Sequence, residues 1–194
     1  GAAILAEAEP LMRLIRAPHA WGDILTVDSR QSVLLTYTRN NVMHLFALPS
    51  LIANFFAHFE QRNEKALLAD AVELYPLLAS ELFLRWPVDD CRDALIQTVN
   101  GLISCGLLTR TEKGTLKRPK AGSDGFAALN SLARIMRESL ERYAMTATLL
   151  SHNLDTGTVE RARFERQCQL MAERMALLTG RNSPEFFDAR LFRN

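Results

Sequence analysis

The signatures of several enzyme and binding classes are missing from this sequence: it has no H-E-x-x-H, no G-x-S-x-G and no phosphate-binding glycine loop. Cysteine is scarce as well. Cys91, Cys105 and Cys168 are odd in number, widely separated and without a C-x-x-C pair, so neither a disulfide framework nor a thiolate zinc site is indicated. A reducing compartment is expected. His44 and His58 lie 14 residues apart on one apolar segment, but no carboxylates accompany them, and neither a metal nor another cofactor is expected. A charge excess is absent too: 23 Lys and Arg against 22 Asp and Glu leave +1, which excludes a polyanion binder of the strongly basic kind. No basic segment followed by an apolar run opens the sequence, so a secretory signal is not expected. Internal repeats and low-complexity segments are absent.

What is present is a globular composition, 48% hydrophobic over 194 residues, sufficient for one or two domains. One stretch dominates it. Between Val33 and Phe59 only Arg39 carries a full charge, which is too apolar for a surface helix and predicts a central helix buried on all sides. Val42 to Phe59 has about the length of a membrane span, but His44, Pro49, Asn54 and His58 interrupt it, and a buried, Pro-kinked helix is expected. At 3.6 residues per turn, Tyr37, Asn40, Asn41 and His44 share an arc of about 100°, with Arg39 on the opposite side beside Leu35 and Phe46. Buried groups of this kind need partners, so Tyr37, Arg39, Asn40, Asn41 and His44 form a candidate interdomain or structural cluster. Asn41 and His44 are expected to find their partners within this chain and Arg39 outside it.

The rest reads as mainly α, a helical domain with one or two small β-hairpins and a winged-helix-like middle. Residues 2–16 have helical spacing, 17–22 form a turn, and Asp23 to Val27 suggests a strand leading into the connection Asp28 to Gln31. A solvated linker over 61–65 ends in a helix capped by Asn63 and running to Trp86, with Pro76 inside and Pro87 closing it. Asp89 is expected to cap the next helix, which Gly106 ends; Leu107 to Glu112 and Thr115 to Arg118 then pair as a hairpin across Lys113-Gly114. Asp124 starts a long helix broken near His152, Asn153 and Gly157. Another spans about Thr158 to Thr179, with Phe164, Cys168, Met171, Met175 and Leu178 inward, and Ser183-Pro184-Glu185 announces a last one. Phe186, Phe187, Leu191 and Phe192 suggest that the natural polypeptide continues. Sub-units 1–86 and 87–194 are expected.

The hairpin is basic: Arg110, Lys113, Lys117, Arg118 and Lys120 stand against Glu112 alone. These five are candidate contacts for anionic lipid head groups, each contributing about 1 kcal/mol. A wing touching nucleic acid is the less favoured reading, because the preceding helix offers Arg92 among acidic residues.

The run TYTRNNVMHLFALPSLIA, with LYPLLASELFLRW downstream and SPEFFD near the end, resembles the C-terminal region of membrane-bound bacterial glycerol-3-phosphate acyltransferases. The resemblance implies transfer of a fatty acyl group from acyl-CoA or acyl carrier protein at the cytoplasmic face of the inner membrane, in phospholipid synthesis. Such enzymes use a histidine and an aspartate separated by four residues, the histidine as base for the glycerol hydroxyl. No such pair exists here: His19 has Asp23 one residue too near, His44 leads to Pro49, His58 to Asn63 and His152 to Gly157. The catalytic domain is therefore expected upstream in the same polypeptide, with residues 1–194 as its inactive C-terminal domain. The alternative is a helical interaction or regulatory module, binding nucleic acid through the wing.

Overall fold

The computed structural model describes residues 6, 14–20, 22–154 and 158–179, excepting the side chains of residues 29, 32, 33, 36, 39 and 40. Two compact units divide it, Gly1–His44 and Leu45–Asn194, so the division falls inside a helix and not after Trp86 as the sequence suggests. Residues on both sides of Trp86 belong together physically. The helices before and after it pack on one another, and the Tyr75 hydroxyl donates to the Trp86 carbonyl at 2.6 Å.

In the first unit, β1 (Ile15–Ala17) and β2 (Ile24–Thr26) form an antiparallel hairpin with Ile15 opposite Thr26. The expected strand is present; its partner, read as the end of a helix, is the surprise. Pro18 biases Ala17 toward extended backbone, and the positive φ of 112° at Gly22 completes the turn. The rest of the expected first helix lies largely outside the described residues. Helix α1 (Ser29–His58) begins earlier than its apolar run, because the Asp28 carboxylate accepts from the Gln31 amide at 2.8 Å and caps it.

α1 is not buried on all sides. Ala47, Leu48, Leu51, Ile52, Ala53 and Phe56 are in the core, whereas Leu34, Tyr37 and Leu45 are 58%, 66% and 64% exposed. Hydropathy measures a need for cover, and among the described residues that cover reaches only the second half of the helix.

In the second unit, β3 (Gln61–Asn63), α2 (Glu64–Glu81), a 3-10 turn (Val88–Asp90), α3 (Cys91–Ser104), β4 (Thr109–Arg110) and β5 (Thr115–Lys117) follow α1. Their sheet order β3-β5-β4, antiparallel throughout, gives the winged-helix sequence helix, strand, helix, helix, strand, wing, strand. β3 is too short and polar to show alternation, and only its pairing with β5 above buried Leu116 makes it a strand. Asn63 caps α2 by accepting from the Ala66 amide at 3.1 Å, as its position suggests. α2 stops at Glu81 instead of Trp86, since Leu82 turns extended.

Asp89 does not cap α3; it sits in the 3-10 turn, and Asp90 takes the cap position without a side-chain bond. At the other end, Gly106 adopts φ 70°, its amide donates to the Ile103 carbonyl and the Leu107 amide to the Leu102 carbonyl. This pair of bonds satisfies two orphan carbonyls and turns the chain into the hairpin.

α4 (Asp124–Leu154) is capped by Ser123, whose hydroxyl accepts from the Phe126 amide, and not by Asp124. It runs through His152 and Asn153, where the Asn153 side-chain Nδ2 donates to the Leu149 carbonyl of its own helix. α5 (Arg161–Thr179) packs along α4 around Met145, Cys168, Ala172 and Ala176, with Phe164, Met171 and Met175 partly buried. Leu178, expected inward, is exposed. The expected helix at Ser183 lies outside the described residues.

Candidate functional site

The apolar surroundings of the α1 cluster predict buried polar groups. The structure leaves Tyr37, Asn41 and His44 exposed, while the side chains of Arg39 and Asn40 lie outside the described set. Helical spacing puts Tyr37, Asn41 and His44 on one face with Leu34 and Leu45, both exposed as well. The expectation that Asn41 and His44 are enclosed by this chain is thus corrected.

In the second unit α1 is fixed to α4 by a polar seam that sequence reading missed. Fully buried Ser50 accepts from the Met136 amide (3.0 Å) and lies 3.3 Å from the Ala133 carbonyl, to which Asn54 also donates at 2.7 Å. The hint was a serine directly after Pro49 within an otherwise apolar helix. Nearby, Arg142 is only 5% exposed, and one guanidinium nitrogen reaches both Glu81 carboxylate oxygens at 2.7 and 2.6 Å. The Tyr143 hydroxyl donates to Glu81 and lies 3.2 Å from the Leu77 carbonyl. Burial, then the bond to Glu81, pushes the Tyr143 phenol well above its ordinary range. Burial likewise raises the Cys91 and Cys168 thiols, the reverse of what a nucleophile needs. Glu81, Arg142 and Tyr143 together tie the end of α2 to α4 and act as a structural lock.

The wing divides its five cations into two kinds. Arg110 grips both Glu64 oxygens at 2.6 Å and Asn100 at 2.8 Å, and Arg118 bonds Glu60 at 3.3 Å while stacking 4.6 Å over the Phe126 ring. Both arginines brace the hairpin against the helices and are lost as free contacts. Lys113, Lys117 and Lys120 remain exposed. Counting Glu112, Glu64 and Glu60 against the five positive side chains leaves a local charge of +2, not +4. The exposed residues of α3 include Arg92, Asp93, Gln97, Asn100 and Ser104, one charge of each sign, a poor match to a phosphate backbone.

A third feature is a groove of about 390 Å³ between the second half of α1, α2 and α4. Its lining is apolar except for Asn54, His58, Arg137, Glu141 and Tyr143. Among the described residues no cluster of three His, Cys, Asp or Glu is arranged to hold a metal ion, and no helix is long and apolar enough to cross a membrane.

Comparison with known proteins gives one consistent answer. Residues 2–194 match the family model described as the glycerol-3-phosphate acyltransferase C-terminal region. Proteins named glycerol-3-phosphate acyltransferase from Pseudomonas fluorescens strain Pf-5 and Pseudomonas syringae pathovar syringae strain B728a are each 38% identical over 194 residues. That from Pseudomonas putida strain W619 is 40% identical over 195 residues. Each match covers all of this chain but 23% of the relative, so the chain spans about a quarter of the length of the curated relatives it matches.

Proposed function

The chain belongs to the family of glycerol-3-phosphate acyltransferase C-terminal regions, and we propose that it is the non-catalytic scaffold of a glycerol-3-phosphate 1-O-acyltransferase. The whole enzyme then transfers a fatty acyl group from acyl-CoA or acyl carrier protein to glycerol-3-phosphate, giving lysophosphatidic acid for phospholipid synthesis. One observation carries this reading: a match to the end region of the family in a sequence that holds no histidine followed by an aspartate with four residues between them. The base for the glycerol hydroxyl must come from the catalytic domain of the same polypeptide.

Two surfaces are assigned roles. The face of α1 bearing Tyr37, Asn41 and His44 among exposed Leu34 and Leu45, together with Arg39 and Asn40, contacts that catalytic domain. The support is an uncovered apolar helix in a chain that spans 23% of its relatives. Lys113, Lys117 and Lys120 rest against anionic lipid at the cytoplasmic face of the inner membrane, the protein being peripheral there. At about 1 kcal/mol per lysine this contact is weak and reversible, with Arg110 and Arg118 shaping the wing and not touching lipid.

The purified chain, assayed with glycerol-3-phosphate and palmitoyl-CoA, is expected to show no turnover. Turnover lost on replacing one of its histidines would overturn the scaffold reading. Vesicle sedimentation tests the wing: binding to anionic vesicles should weaken with salt and disappear when Lys113, Lys117 and Lys120 are changed to Glu. Equal binding to neutral vesicles removes the lipid role. Duplex DNA binding with a steep salt dependence would instead favour a regulatory winged helix.

A further inference from the structure

The hairpin of the first unit, β1–β2, has no part in either proposed contact, and it lacks what so small a sheet needs. A hairpin of two strands is marginal in water by itself, and becomes stable when a third strand or a packed helix covers its apolar face. Here the sheet has two strands among the described residues. The register, Ile15 opposite Thr26 and Ala17 opposite Ile24, puts these four side chains on one face. All four are exposed, the two isoleucines at 49% each.

Its two edges are unequal. β1 carries Arg16 and runs into Pro18, a charge and a residue without an N–H, both of which discourage a further strand. β2 is Ile24-Leu25-Thr26, followed by Val27, with neither charge nor proline and with β-branched side chains at three of the four positions. The wing sheet shows the ordinary protection: Arg62 stands on the β3 edge and Arg110 on the β4 edge. Among the described edge strands β2 alone lacks such a residue.

An open edge of this kind accepts an extended strand through its backbone N–H and C=O groups. The length of β2 decides where that strand comes from. Three residues offer too few backbone bonds to hold a separate protein at micromolar concentration, whereas a strand of the same polypeptide meets the edge at an effective concentration on the order of millimolar. The chain spans 23% of its relatives, so most of such a polypeptide lies outside residues 1–194. β2 also leads through Val27 and Asp28 directly into α1, whose exposed first half carries the proposed contact with the catalytic domain. We propose that a third strand, supplied by the part of the polypeptide outside residues 1–194, pairs with the open edge of β2. This rests on the reading of the chain as the end region of a longer enzyme.

In a two-stranded antiparallel hairpin every second amide of a strand is bonded across the pair, whereas a strand with neighbours on both sides has consecutive amides bonded. Residue-resolved amide hydrogen exchange of the full-length enzyme and of the 194-residue chain reads this difference. In the full-length enzyme the amides of Ile24, Leu25 and Thr26 should all be slow, with those left open in the chain slowed about tenfold or more; in the chain the slow positions should alternate. Ile24→Lys, at an exposed position, puts a charge beside this edge and should return the full-length enzyme to the alternating pattern while the chain melts as before. Should that variant melt early, Thr26→Lys repeats the test from a second exposed position. The proposal is overturned by fast or alternating exchange in the full-length enzyme, by consecutive protection already present in the chain, or by a lysine variant that melts normally and keeps all three amides slow. Protection lost on dilution overturns it too, because the partner is then a second copy. Exchange does not depend on turnover, so an inactive full-length protein tests the strand as well as an active one, and the scaffold reading stands or falls by its own assay.

Discussion

Two halves of one helix both carry large apolar side chains and differ in whether those side chains are covered. From Ala47 to Phe56 the core residues of α1 are at most 2% exposed, and Ser50 and Asn54 sew the helix to the Ala133 and Met136 backbone of α4. From Leu34 to Phe46 comparable side chains are open, and Tyr37, Asn41 and His44 with them. The difference teaches that an apolar run states a requirement without naming the partner that meets it.

The sharpest way to break the comparison is to truncate one side chain in each half. Phe56→Ala should destabilise the chain by about 3–5 kcal/mol, through lost burial and the cavity left behind. Leu45→Ala should stay within about 0.5 kcal/mol. Urea unfolding of the two variants measures both, and a similar loss in each would show that Leu45 is covered in solution.

Next in size is the lock between α2 and α4. Arg142→Met strands Glu81, whose side chain is 23% exposed against 6% for Arg142, and should cost about 2–4 kcal/mol, with part recovered when Glu81→Gln is added. Tyr143 belongs to the same lock and gives it a pH signature. Its folded pKa lies above the unfolded value of 10.0, so the folded chain holds the phenol proton more tightly, and stability present below pH 10 falls as pH rises beyond it. Tyr143→Phe should flatten that alkaline decline in part, the Tyr75 phenol and the Cys91 and Cys168 thiols, all raised by burial, contributing to the rest. An alkaline limb of unchanged slope would remove Tyr143 from the linkage.

Much of this could be read from residues. Asn63 and Gly106 announced a helix start and a helix end because each has a local job, a cap and a left-handed turn, that few other residues do. The wing followed from Lys113-Gly114 between two short runs. β3 could not be read, since Gln61, Arg62 and Asn63 become a strand only by pairing with residues more than fifty positions away. The lock around Arg142 was missed for a related reason: on α4 it is one arginine among several, and only tertiary packing distinguishes the one that meets Glu81. The wing's charge was overcounted because sequence shows cations without the carboxylates, Glu60 and Glu64, that fold against them.

Within the wing the same contrast between braced and free side chains returns on a smaller scale. Arg110 keeps 39% of its side chain in solvent, so its pair with Glu64 is partly screened, and Arg110→Ala should cost about 1 kcal/mol or less. Lys113→Ala, at an exposed turn position, should leave thermal melting unchanged and act only on vesicle binding. Equal melting of the two variants would mean that the arginine is as free as the lysine.

The smallest effect on the isolated chain is expected at the first half of α1, and there the two readings of the helix separate. Asn41 is exposed, so Asn41→Leu strands no buried partner and should change the stability of the 194-residue chain by less than about 0.5 kcal/mol. Sequence alone suggested a larger loss, on the premise that its partners lie within this chain. Arg39→Met should be equally silent here, because an arginine in so apolar a helix is most easily satisfied by a carboxylate supplied from elsewhere. In the full-length enzyme the order reverses. If the catalytic domain covers this face, either substitution leaves polar groups unpaired or the domains less firmly joined, and activity or domain cohesion falls while the C-terminal region still melts normally. Melting of the chain and activity of the full-length protein, measured side by side for both variants, decide the matter. A full-length enzyme indifferent to both would leave the exposed half of α1 without its interdomain role.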